Sequence, residues 1–194
     1  MTDAEVTVKK AKIVDILEGI DTTEIDRKYR MYCFVLKQLS PMQKGIQAAH
    51  SIVEYGNKHH NDESYIVWSR ADKTIILLDG GVSHELEDII DELEANEVEY
   101  AVFREEDLGE LVTSISILVD ERVFDRVNYP DFGEWRNRKY PIREMHLMAC
   151  IGDFDHDPND FTYEKHREEW INDVMGGNKN VYLRELISGK HLAK

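Results

Sequence analysis

The chain has 194 residues, of which 42% are hydrophobic and 32% charged, and its formal net charge is −15. That composition can bury a core and does not read as disorder. The charge repels nucleic acid at long range, so any RNA contact has to run through a local basic patch. No run approaches the roughly 20 apolar residues of a membrane helix. The start, "MTDAEVTVKKAKIVDILEGI", lacks the basic region and long apolar stretch of a signal peptide. The expectation is a soluble, cytoplasmic protein. Cys33 and Cys150 sit in apolar surroundings, "YCFVL" and "LMACI", outside any CxxC pattern, and read as buried free thiols.

Residues 3–20 place Val6, Ile13, Ile16, Leu17 and Ile20 at partly helical spacing, which predicts an N-terminal helix. "RMYCFVLKQ" (30–38) reads as a buried strand. Ser40-Pro41 then opens a helix, serine as cap and proline at the first position. The helix is expected to run to about Tyr55 and stop at Gly56. On a helical projection Gln43, Gln47, His50 and Glu54 share one face, with Ile46, Ala49 and Val53 as the buried face beside it and Lys44, Ala48, Ser51 and Tyr55 on another side. "YIVWSR" (65–70) fits a helix end or a strand. "KTIILLD" (73–79) is a second strand stopped by Gly80-Gly81, and Ser83 is expected to cap a helix that buries Leu86, Ile89, Ile90 and Leu93. "VEYAVFRE" (98–105) and "LVTSISILVD" (111–120) are the third and fourth strands, the latter alternating around Thr113, Ile115 and Ile117.

This order predicts an α/β fold, a small, mostly parallel four-stranded sheet with helices on both faces. The short link between the last two strands requires one antiparallel strand. Ligands in such sheets collect beyond the carboxyl ends of parallel strands, which here would bring Gln38–Lys44 and Arg104–Glu110 to one rim. The expected organisation is an N-terminal helical arm (1–28), an α/β domain (29–124) and a C-terminal extension (125–194). The extension is expected to be irregular at first, with its densest basic cluster at Arg136, Arg138, Lys139 and Arg143 among Trp135 and Tyr140. That cluster combines charge with stackable rings and is the candidate RNA contact, or else a covering segment that neutralises the acidic body. A helix from Thr162 to Met175, ended by Gly176-Gly177, and a short one over 181–188 close the chain. His59-His60 with Asp62 reads as an exposed polar loop rather than a metal site. "DFDHDPND" (153–160) lacks the glycine and terminal glutamate of a calcium loop.

"LKQLSPMQKGIQAAHSIVEY" resembles the first strand–turn–helix of type-II peptidyl-tRNA hydrolases, which carry a Gly-Lys, three residues, then Gln-x-x-His-Ala at the helix start. Gln47 and His50 match that pattern, and the resemblance covers about residues 30–124. "YAVFREEDLGELVTSISILVDERVF" also resembles phage-encoded proteins of this kind. The family's lysine falls on Gln43, with Lys44 one place along and about 100° round the helix. Glu105 matches the family's carboxylate after the third strand, with Asp107 as second candidate, and Thr113, beside Ser114, matches its threonine.

The resemblance implies hydrolysis of the ester joining a peptide to the tRNA 3′ ribose, with no metal or other cofactor. Lys44, Glu105, Asp107 and Thr113 are then the candidate catalytic residues. A carboxylate would orient or deprotonate the water, while Lys44, Gln43 and free N–H groups would hold the oxyanion or the terminal phosphate. Gln43, Gln47, His50, Arg104, Arg136 and Arg138 are candidate substrate contacts, and tRNA is the expected partner. Members of this fold are commonly dimers, which implies a homodimer. The displaced lysine, the −15 charge and the long extension leave a second reading open, a catalytically degenerate module that binds tRNA or a host protein. A third is a self-assembling structural protein.

Overall fold

The structure is a computed structural model that describes residues 28–140 and 158–194, with side chains from 163 onward in the second stretch. The expected N-terminal helix, Cys150, Arg143 and most of "DFDHDPND" lie outside the described residues.

Four strands form one sheet: β1 (Tyr29–Leu36), β2 (Thr74–Gly81), β3 (Tyr100–Glu105) and β4 (Leu111–Asp120). Their order is β2-β1-β4-β3. The sheet is mixed rather than mostly parallel. Only β1 and β2 pair in parallel, while β4 runs antiparallel to both β1 and β3. The reason is the short link after β3. It cannot carry a crossover helix, so β4 turns back and inserts between β1 and β3. Because β4 opposes both, β1 and β3 still point the same way and their carboxyl ends share a rim.

Helix α1 (Pro41–His59) starts at a capping box. The Gln43 N–H donates to Ser40 Oγ, and Ser40 N–H donates back to Gln43 Oε1 at 3.1 Å. It runs past Gly56, which is not a stop. A Cβ there would lie 2.4 Å from Tyr65 Oη, so the glycine admits the ring of the next helix. That helix, α2 (Glu63–Val67), continues into a π-helical turn, Trp68–Asp72, which resolves "YIVWSR" as helical. Helix α3 (Ser83–Ala95) buries Leu86, Ile89, Ile90 and Leu93 as the spacing predicts. Ser83 is its first residue rather than its cap, because Val82 occupies the cap position and its N–H donates to Glu85 Oε2 at 2.7 Å.

Strand β1 alternates between two cores. Tyr32, Phe34 and Leu36 pack with α3, while Met31, Cys33 and Val35 pack with Ala48, Tyr55 and Trp68. Helices therefore cover both faces, and fully buried side chains such as Phe34, Met31 and Leu86 each contribute roughly 1.5–3 kcal/mol.

Beyond β4 the chain is helical sooner than its pattern predicts: α4 (Glu121–Phe124), α5 (Phe132–Lys139), α6 (Pro158–Glu169), a π-helical turn (Trp170–Met175) and α7 (Asn178–Ser188). Gly176, at φ +72°, ends the π turn, and a Cβ there would collide with the Arg122 guanidinium. Leu183 of α7 joins the α3-side core. The residues after α7 return to the free edge of β2. Asp79 N–H donates to the His191 carbonyl at 2.9 Å, Ala193 N–H donates to the Leu77 carbonyl at 3.0 Å, and Leu192 bridges Leu78 in antiparallel fashion. Among the described residues no helix is long and apolar enough to cross a membrane.

Candidate functional site

The face that α1 presents to the sheet is not the expected one. Lys44, Gln47, Ala48, Ser51 and Tyr55 are buried, whereas Ile46 is 47% and Val53 61% exposed. The apolar stripe faces out because the sheet beneath α1 is lined with hydroxyls. Ser51 Oγ, itself fully buried, lies 2.8 Å from Ser114 Oγ, 2.6 Å from Ser116 Oγ and 3.0 Å from the Ala48 carbonyl, to which it donates. Small hydroxyl and alanine side chains let helix and sheet approach closely, and each buried oxygen finds a partner. Cys33 Sγ joins this layer 3.3 Å from Ser116 Oγ, and burial pushes the Cys33 thiol up to about 11, an unreactive group at neutral pH.

At the carboxyl end of the sheet the same face carries a three-residue chain. The Thr113 hydroxyl donates to Gln47 Oε1 at 2.9 Å, and Gln47 Nε2 donates to Glu105 Oε2 at 2.7 Å. A carboxylate only accepts and its donor has to be the amide nitrogen, so the amide orientation follows from its two partners. Thr113 is fully buried and Glu105 half-buried.

Regular alternation would put Thr113 with Ile115 and Ile117, on the α3 side. A β-bulge overturns that expectation. Phe103 pairs with Ser114 but the next residue, Arg104, pairs with Val112, which leaves Thr113 as the extra residue on β4. Thr113 and Ser114 can thus both meet α1. His50 stacks on Phe103 of β3, ring centroids 4.4 Å apart and planes 16° apart.

The other candidates are held elsewhere. Lys44 is one turn before Gln47 on the buried face, and its ammonium donates to the Lys194 carbonyl oxygen at 2.9 Å. Lys44 also lines a cavity of about 700 Å³ with Lys37, Asp79 and His191. Gln43 is exposed and occupied by the Ser40 cap, Ser40 Oγ donating to its Oε1 at 2.9 Å. Asp107 is exposed in the 3₁₀ turn Glu106–Leu108. Arg104 makes a two-pronged pair with Glu87 at 2.8 and 3.0 Å, which ties β3 to α3. In α5, Arg138 pairs with Glu134, Lys139 with Glu169, and the Arg136 guanidinium lies over the Tyr163 ring at 5.1 Å. The basic cluster is therefore largely matched by carboxylates and rings. His59 Nδ1 lies 2.8 Å from Asp62 Oδ2, while His60 faces the Asn57 carbonyl. Among the described residues no three His, Cys, Asp or Glu side chains gather to hold a metal.

The structure thus joins three residues singled out from the sequence, Gln47, Glu105 and Thr113, with His50 on an adjoining ring. Sequence reasoning missed Ser51, Ser116, Phe103 and Lys194. The hydroxyl alternation of "TSIS" was the available signal for the first two. No family model matches the chain, and no curated protein matches it.

Proposed function

We propose that the chain is a hydrolase of carboxylic esters of the peptidyl-tRNA hydrolase kind, releasing a peptide from the tRNA 3′ end. The observation that supports this reading is the Thr113–Gln47–Glu105 chain at the shared rim of β1 and β3. A carboxylate anchored through one oxygen keeps the other for a water molecule, and that is the geometry of a general base. Gln47 fixes the carboxylate, and Thr113 fixes Gln47. Glu105 is the base in this reading rather than Asp107, which lies outside the chain of hydrogen bonds. The resemblance of the 36–55 segment supplies the substrate class.

The test is release of the amino-acid moiety from N-acetylated aminoacyl-tRNA. The wild-type chain is expected to cleave it. Glu105→Gln should lower the rate roughly 100-fold or more, and Asp107→Asn should leave it close to wild type. Equal loss in both variants, or none in either, would remove Glu105 from the role of base.

One observation favours a second reading, a binding module without turnover. The Lys44 ammonium is engaged by Lys194 rather than by the Gln47–Glu105 chain. In that case the protein retains tRNA in a gel-shift experiment and leaves the ester intact.

A further inference from the structure

The C-terminal helices border an open cavity of about 420 Å³, lined by the start of α5, the end of α6, the π turn and α7. That volume falls within the roughly 300–1,000 Å³ of small-molecule sites. Arg126, Arg167 and Arg184 line it together with Phe132 and Trp170. In a chain of net charge −15, three guanidinium groups around one opening reverse the local sign.

The carboxylates on the same wall are Asp131 and Glu185, and they do not complete the pairing. Asp131 is shared, its Oδ2 accepting from Arg126 at 2.9 Å and its Oδ1 from Arg184 at 3.0 Å. Among the described residues neither Arg167 nor Glu185 has an ion-pair partner. The second prong of Arg126 donates to Ser188 Oγ at 2.6 Å, and that of Arg184 to the Arg122 carbonyl. Arg184 is 4% exposed, yet its Nε has no acceptor. A buried guanidinium carries five N–H donors and strongly disfavours an unmet one. Burial, with a smaller contribution from the neighbouring Arg126 charge, pulls the Arg184 guanidinium below its ordinary range, although Asp131 and Asp125 act in the opposite direction. Trp170 is anchored by its Nε1–H to the Pro130 carbonyl at 3.0 Å, and its ring centroid lies 5.8 Å from that of Phe132, so the two rings form an apolar wall.

We propose that this cavity binds a phosphate monoester with a flat organic part, the chemistry of a nucleoside 5′-monophosphate. The phosphate sits at Arg126 and Arg167 in front of Arg184, and the flat part lies toward Phe132 and Trp170. Guanidinium forks match phosphate oxygens in geometry as well as charge. The same group can arrive as a free nucleotide or as the 5′ end of an RNA. The inference stands apart from the ester-hydrolase reading, since it shares no residue with the Gln47 chain.

Calorimetric titration of the full chain tests it, with adenosine 5′-monophosphate, adenosine, inorganic phosphate, and a short oligoribonucleotide bearing either a 5′-phosphate or a 5′-hydroxyl. The expected result is binding of the monophosphate at least about tenfold tighter than adenosine and than inorganic phosphate. Arg167→Glu, at an exposed position, should lower that affinity about tenfold or more with an unchanged melting temperature of the free protein; Arg167→Gln serves should the charge reversal disturb folding. Tighter binding of the 5′-phosphorylated oligonucleotide than of the mononucleotide assigns the site to an RNA end, and the reverse order assigns it to a free nucleotide. The proposal is overturned by equal affinity for monophosphate and adenosine, by inorganic phosphate binding as tightly as the nucleotide, or by an Arg167 variant that binds unchanged.

Discussion

Gln47 holds its amide between a donor and an acceptor, and neither neighbour can exchange roles with the other. The arrangement makes Thr113 a positioning residue, because its hydroxyl touches Gln47 and the carbonyl of Phe103 rather than the rim. Thr113→Val keeps the shape and removes the donor. Gln47 Oε1 is then left without its buried partner, at a cost of about 1–3 kcal/mol, and the amide is free to turn away from Glu105. The expected outcome is a lower melting temperature together with reduced hydrolysis, both restored by Thr113→Ser. A melting temperature that falls while the rate per folded molecule stays constant would confine Thr113 to a structural role. Gln47 and His50 were legible as polar residues on one helical face, and Glu105 and Thr113 only through the resemblance to a known family. Their partners were not, since hydrogen bonds spanning 58 and 66 residues leave no local trace.

At the scale of the element, α1 shows a polar pattern overriding an apolar one. Periodicity favours Ile46, Ala49 and Val53 as the buried stripe, but the sheet offers Ser114 and Ser116, and a methyl-rich face would leave those hydroxyls unmet. Ser51 satisfies both, so the helix rotates its hydroxyl and alanine face inward. Ser51→Ala removes the shared partner of both serines and should destabilise the chain by about 1–3 kcal/mol. Ser116→Ala should cost less, because Ser51 keeps Ser114 and the Ala48 carbonyl. A shift in the denaturation midpoint at constant slope would measure each; equal shifts would show that Ser51 is not the hub. The bulge at Thr113 belongs to this scale too. Strands β3 and β4 were legible from β-rich runs, but a one-residue slip in their pairing changes which face a side chain occupies.

Across the whole molecule, pH should act first on the C-terminal helices. His166 is 7% exposed, its Nδ1 has no partner, and its ring stacks on Tyr140 with centroids 3.8 Å apart. Burial, and then the positive charge of Arg136, hold its pKa below 6.5. The unfolded chain then binds a proton that the folded chain resists, so this histidine lowers stability as pH falls from about 6.5 toward its folded value. Glu169, held below its ordinary range by Lys139 and Tyr140, acts in a different window, losing its contribution only below about pH 4.5. Thermal unfolding between pH 8 and 5.5 should show a falling midpoint for wild type, and a flatter profile for His166→Phe. An identical slope in both would exclude His166 as the source.

The sequence by itself determined the α/β class, the four strands, the buried face of α3 and the capped start of α1, because each follows from period, cap or turn chemistry within a dozen residues. Through the resemblance it also brought forward Gln47, Glu105 and Thr113, among others, as candidate site residues. Only the tertiary structure decided that β4 inserts between β1 and β3, that a bulge turns Thr113 toward α1, and that α1 buries hydroxyls rather than methyls. It alone brought Lys194 to Lys44 and three arginines from separated segments to one cavity. These outcomes depend on pairing partners far along the chain, and a local pattern carries no record of which partner a strand edge or a buried hydroxyl will meet.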